Sequence, residues 1–251
     1  MLAFSSLLGN VEGQNIYRIW YDKPASYWEE ALPVGNGRIA AMVFGNPQLE
    51  QIQLNEETVS AGSPYQNYNE EAKTALPEMR RLIFEGKYEE AQNMAATKIL
   101  SQVGNEMPYQ TVGRLNIRYP DHKKVNNYYR DLDISNAVAV TRYEVDGVEF
   151  TEETFASFTD QLVIRHIKAS KPGTINCELF FNTPMRDPKR SIYGKKGLRL
   201  EGITHGSRYF SGKVHYCADL DVKHKGGKVI TANDTLLSVQ GASELTLYIS
   251  M

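Results

Sequence analysis

The sequence predicts a mostly β protein: two large antiparallel sheets packed as a β-sandwich, interrupted by one short helical insertion. Three observations carry this. Short segments of alternating apolar and polar residues recur along the chain between turn residues, as half-buried strands require. Only one stretch, about 69–100, switches to the 3.6-residue period of a helix. Composition also leans toward strands, with 15 Tyr, 9 Phe and 19 Gly and no helix-favouring Ala/Leu bias.

The elements follow in order. NIYRIWYD, from Asn15, alternates and reads as a strand with both faces occupied, stopped by Pro24. WEEALP leads into Gly35-Asn36-Gly37, a strong turn signal. RIAAMVFG suits a buried strand, and LEQIQLNEETV its partner, with Ile52 and Leu54 opposed to Leu49, Gln51 and Gln53. Next comes the helical stretch. Ala72, Ala75, Leu76, Met79, Leu82 and Ile83 recur at spacings of three and four. Asn69 is placed to cap the start, with Glu70 and Glu71 in the first turn. Pro77 is expected to split or kink the segment, and Gly86 to end it. A second helix is expected over about 88–100, with Tyr88, Ala91, Met94 and Ala95 inward. Ten further strand segments run from TVGRLNIRYP to LTLYIS. Asp146-Gly147 and Gly226-Gly227 suit two-residue hairpins, and Asn233-Asp234 a tight turn.

The chain has 251 residues, long enough for a full core. Its 28 basic and 30 acidic residues leave a net charge of −2, without the electrostatic footprint of a nucleic-acid binder. No apolar run approaches the ~18 residues of a membrane span. Residues 2–8, LAFSSLL, precede a polar GNVEGQN and read as the tail of a secretory signal peptide without its basic region. Residues 1–14 are therefore expected to be a signal-peptide remnant or a disordered N-terminus, residues 15–251 the sandwich, and the protein periplasmic or secreted. The chain stops one residue after the strand LTLYIS, which suggests a piece of something longer.

Candidate chemistry is sparse. Cys177 and Cys217 have no metal-ligand spacing; a disulfide between them is open in an exported protein, and no metal site or cofactor is expected. There is no GxSxG elbow, P-loop or HExxH motif. His166 reads as a packed strand residue rather than a base. Adjacent carboxylate pairs such as Glu56-Glu57 point to opposite faces of a strand. Asp131 and Asp133 share a face at a spacing that glycoside hydrolysis permits, but polar-out alternation at a solvated edge accounts for them as well. Trp20, Tyr21, Tyr27 and Trp28 cluster near the N-terminus, with Tyr65, Tyr68 and Tyr109 in loops. Sugars stack on such aromatic faces, although core packing is the default for a Trp in a β domain.

The block WEEALPVGNGRIAAMVFGNPQLEQIQLNEETVSAG, Trp28 to Gly62, resembles the N-terminal domain of glycoside hydrolase family 95, the α-L-fucosidases, which carry WxEALPxGNGRLGAMVFG and then ERIQLNExTLWSG. The resemblance continues through LPEMRRLIFEGKYEEAQ, MPYQTVGRLNIRYP, the segment from YYRDLDIS to FTEETFAS, and the final LTLYIS. It departs at Val59-Ser60-Ala61-Gly62, where the family often has LW before Ser-Gly, and at Thr111 and Arg114, where the family reads YQPLGDL. The resemblance implies a β-supersandwich that packs against a following (α/α)6 barrel holding the inverting catalytic machinery, so that no catalytic residue falls in this chain. Its partners would be that barrel and, through it, a fucosylated or α-L-galactosyl glycan. Trp28, Asn36 and Arg38 are the candidate substrate-binding residues. The alternative is a free-standing carbohydrate-binding module.

Overall fold

The computed structural model of the chain describes residues 17–62, 67–101, 107–206 and 211–251. Residues 1–14 and Tyr65, singled out above, lie outside these. The described residues form a sandwich of two antiparallel sheets. The nine-stranded sheet runs, in spatial order, β1 (Arg18–Tyr21), β6 (Asn126–Asp133), β7 (Val138–Val145), β8 (Val148–Ser157), β9 (Leu162–Ala169), β16 (Glu244–Ser250), β13 (His215–Lys225), β12 (Gly197–Ile203) and β11 (Arg186–Tyr193). The seven-stranded sheet runs β14 (Lys228–Asn233), β15 (Leu236–Ala242), β10 (Ile175–Asn182), β5 (Gly113–Arg118), β4 (Leu49–Glu56), β3 (Ile39–Val43) and β2 (Leu32–Gly35).

The alternation read from the sequence decides which face is buried. Ile52 and Leu54 of β4, Leu115 and Ile117 of β5 and Leu179 of β10 point inward and have no exposed surface. They meet Val163 and Ile167 of β9 and Leu245, Leu247 and Ile249 of β16, also fully buried. Each such side chain contributes roughly 1.5–3 kcal/mol on burial. β1 differs from expectation. It is an edge strand paired on one side with β6, and Ile19 and Trp20 are exposed rather than buried on two faces.

The turns are partly as expected. Asp146 (φ 49°) and Gly147 (φ 71°) close the β7–β8 hairpin. Gly226 and Gly227 also have positive φ, 70° and 62°, but they make no hairpin. β13 belongs to the nine-stranded sheet and β14 to the other, so this glycine pair carries the chain across the sandwich.

The helical insertion connects β4 to β5. Helix α1 spans Ala72–Phe84 and runs unbroken through Pro77. It starts after Glu71 rather than at Asn69. Asn69 instead accepts from the Glu71 N–H (3.1 Å) and donates to the carbonyls of Thr97 (3.2 Å) and Leu100 (3.3 Å), closing the base of the insertion. Gly86 (φ 75°) ends α1: its N–H reaches the Ile83 carbonyl and that of Lys87 the Leu82 carbonyl, the paired bonds of a Schellman cap. Helix α2 is shorter than expected, Tyr88–Met94, and passes into a π turn over Ala95–Ile99. Tyr88, expected inward, is exposed, while Ala91 is buried. No helix among the described residues is long and apolar enough to cross a membrane.

Candidate functional site

Asn36 and Arg38 sit at the β2–β3 turn, with Gly37 at φ 95°. The Asn36 Oδ1 accepts from the backbone N–H of Arg38 (3.1 Å) and of Ile39 (2.9 Å). Its Nδ2 donates to the Ser157 carbonyl (2.9 Å) and to Gln161 Oε1 (3.3 Å). Both donors and both lone pairs of the amide are thereby used within the chain. Arg38 donates to the Met251 carbonyl (2.9 Å) and pairs with Glu56 Oε1 (3.3 Å). Glu56 in turn accepts from the Thr58 N–H (2.8 Å) and hydroxyl (2.6 Å). The sequence GNGR thus ties the β2–β3 turn to the β8–β9 turn and to the ends of β4 and β16 at one end of the sandwich. Trp28 is not with them. It lies half-exposed on a 3-10 turn, Trp28–Glu30, and the whole of β2 separates it from Asn36. Nearby, Trp20 stacks on Tyr129 at 6.2 Å.

Asp131 and Asp133 do share a face of β6, but not at a solvated edge. Asp131 is fully buried. Arg18 lies 3.2 Å from its Oδ2 and Arg142 3.7 Å from its Oδ1. Burial raises the Asp131 pKa, and the two guanidinium groups pull it back. Asp133 accepts from the Asn136 side chain (3.0 Å), from the backbone N–H groups of Ser135 (3.0 Å) and Asn136 (3.1 Å), and from Arg18 (3.3 Å), which lowers its pKa. Arg18 bridges the two carboxylates, so β1 is fastened to β6 through them. The pair has its counter-ions, and Asp131 presents no surface to a substrate.

Between the sheets lies a charged cluster that the strand reading passed over. Arg165 of β9 is fully buried and pairs with Glu152 of β8. It also donates to Thr154 (2.7 Å) and stands 3.7 Å from Glu50 of β4. Glu152 accepts from the phenols of Tyr119 and Tyr143, both 2.8 Å. Glu50 accepts from the N–H groups of Phe44 and Gly45, both 3.1 Å, while its Oε2 has no hydrogen bond. His122 is buried beside Tyr143 and the Pro47 carbonyl. Two carboxylates share one guanidinium, and burial pushes the Glu50 pKa up to about 7 against the pull of Arg165. These groups have almost no solvent-accessible surface, so no glycosidic bond can reach them. They hold the sheets together.

Two open grooves cross the surface of the described residues. One of about 590 Å³ crosses the outer face of the nine-stranded sheet between Leu162, Tyr193, Asp219 and Tyr248. Another, about 380 Å³, lies at Gln53, Arg114 and Asn182 of the other sheet. Arg199 clamps Asp219 with two bonds of 2.7 and 2.6 Å beside the first groove. Among the described residues no group of three or more His, Cys, Asp or Glu could hold a metal ion. Cys177 is buried in the core, Cys217 is half-buried, and both are free thiols. His166, as expected, is a packed strand residue whose Nδ1 lies 3.1 Å from the Thr246 hydroxyl.

A family model described as glycosyl hydrolase family 65, N-terminal domain, matches residues 19–251. The chain belongs to that family. As a family 65 N-terminal domain it carries a different family number from the one its motifs resemble, while the domain's place at the front of a glycosyl hydrolase agrees with that resemblance. The chain is similar to Alpha-L-fucosidase 2 of Arabidopsis thaliana, 37% identical over 181 residues, covering 70% of this chain and 21% of the plant protein. Probable alpha-fucosidase A of Aspergillus niger is 26% identical over 162 residues, covering 61% of this chain and 20% of the fungal one. The Aspergillus oryzae protein of the same name is 25% identical over 174 residues, covering 65% and 23%. The chain spans about a fifth of the length of these relatives.

Proposed function

We propose that this chain is the non-catalytic N-terminal sandwich of an inverting α-L-fucosidase-like glycoside hydrolase, related to family 95, whose catalysis lies in an (α/α)6 barrel beyond it. One observation carries the reading. Inverting hydrolysis needs a general acid and a separate base flanking an accessible sugar. Here Asp131 and Asp133 are bridged by Arg18, and Glu50 and Glu152 are sealed between sheets. The ordered motif blocks and the fucosidase names of the relatives supply the substrate class. The LAFSSLL segment supports export as its setting.

The test is hydrolysis of 2′-fucosyllactose by the 251-residue chain and by the polypeptide encoded by the complete reading frame. The long form is expected to turn over and the short one not. Turnover by the short chain that disappears in the Asp131→Asn/Asp133→Asn double variant would move the active site into the sandwich. The exposed Trp20–Tyr129 stack and Trp28 favour a second reading, a carbohydrate-binding module. Retention of the short chain on a fucosylated matrix, abolished by Trp28→Ala, would support it.

A further inference from the structure

We propose that the end of the sandwich bearing the helical insertion is the face on which the catalytic domain of the same polypeptide docks, and that the tip of the helical hairpin is its principal contact. This rests on the reading above that the chain is the front domain of a larger glycosidase.

The hairpin is amphipathic, and among the described residues no strand packs on its outer side. α1 and α2 make their main contacts with each other rather than with the sheets. At the tip, Phe84 is 88% exposed and Tyr88 69%, with Ile83 half out beside them. Leu100 at the base is also exposed. A helix pair of this kind buries its second apolar side against something, because large apolar groups clustered on a surface mark interaction sites.

Position identifies the occupant. The insertion leaves the sandwich after β4 and returns through Tyr109, whose hydroxyl donates to the Glu56 carbonyl (3.0 Å). Glu56 pairs with Arg38, and Arg38 holds the carbonyl of Met251. Asn36 ties the same turn to Ser157, next to Phe158, which is 76% exposed. The root of the helical insertion, the β8–β9 turn and residue 251 therefore share one end of the sandwich. The family is an N-terminal domain, and the relatives have roughly four-fifths of their length outside the match. Chain following residue 251 would begin at the end of the sandwich that bears Phe158 and the root of the insertion. The exposed Trp28 is the rival surface, but the whole of β2 separates it from the Asn36–Arg38 turn that holds residue 251.

Amide hydrogen exchange of the 251-residue chain is to be compared with that of the complete polypeptide, alongside fucosidase assays of the latter. Residues 83–100 and 158 are expected to gain protection of about tenfold or more in the long form. The double variant Phe84→Lys/Tyr88→Glu places charges that suit the helix termini. It should leave the melting of the short chain unchanged, abolish the gain in the long form and split its thermal transition in two. An active long form whose hairpin exchanges as in the short chain, or whose added protection falls on 20–28, overturns the docking face and leaves the proposed function standing. An inactive long form with a protected hairpin upholds the face and overturns the catalytic reading. A reading frame that closes at Met251 overturns both.

Discussion

At the scale of single residues, the most consequential group is a carboxylate that makes only part of its possible bonds. Glu50 carries a folded-state pKa of about 7, raised chiefly by burial, with Arg165 opposing and Glu152 adding to the rise. Its ordinary value is 4.5. The folded state therefore holds a proton that the unfolded chain releases between these values. The resulting stability is fully present below about pH 4.5 and lost as pH rises through about 7, a change of roughly 3 kcal/mol at most. His122 acts in the opposite sense, since burial lowers its pKa and protonation then opposes folding. Glu50→Gln isolates the first effect, because the amide oxygen keeps both backbone donors. Urea denaturation from pH 5 to 8 should show a shallower fall in stability for the variant than for the parent; parallel curves would refute titration at Glu50. The cluster was legible in outline. Glu152 falls two residues after Phe150, Arg165 two after Val163, and Glu50 two before Ile52, so strict alternation already sends all three inward. What the pattern of one strand does not contain is the register of β8 on β9 and the packing of the other sheet across them, which bring Glu152, Arg165 and Glu50 of β4 together.

At the scale of elements, most strands that declared themselves had one wet and one dry face, although β14 was legible while largely exposed and β12 was not read despite its alternation. β2 has only four residues and sits beside a glycine turn, too short to show a period. β11 was not anticipated because RDPKRSIY is charged, contains Pro188 and is exposed along most of its length. It is an outermost strand, where proline is tolerated and burial imposes no alternation. The glycine pair at 226–227 was read as a hairpin because its chemistry is that of a hairpin, whereas the choice between continuing a sheet and crossing to the other depends on partners far away in sequence. The crossing makes a differential prediction. Both glycines have positive φ, so alanine at either costs about 1 kcal/mol in backbone strain. A Cβ on Gly226 would meet the Ser243 hydroxyl at 3.3 Å, a movable group. On Gly227 it would meet the Gln240 carbonyl oxygen at 2.2 Å and the Gly241 carbonyl carbon at 2.4 Å, both backbone. Gly227→Ala should therefore lose at least about 2 kcal/mol more than Gly226→Ala in equilibrium denaturation. Equal losses would mean that the crossing yields easily.

At the scale of the whole molecule, the order of strands in the nine-stranded sheet has a consequence for how the protein comes into being. β16, the last of the described strands in chain order, does not sit at a border. It lies between β9 and β13 and pairs with both. Until it arrives, β1 and β6–β9 make one ribbon and β11–β13 another, each ending in a row of unmatched peptide groups. The previous two strands, β14 and β15, have meanwhile crossed to the opposite layer. A nascent chain on the ribosome thus carries two open sheet borders until residues 244–250 clear the exit tunnel, and only then does the larger sheet zip shut. Such borders recruit other chains, and pairing between strands so distant in sequence is slow. Ending the chain at Ser243 should accordingly yield insoluble protein, checked by the soluble fraction on expression; a soluble monomer with intact strand content would contradict this. Translation rate and chaperone supply while residues 244–250 emerge, rather than the strength of the finished core, would then set how much folded sandwich a cell recovers.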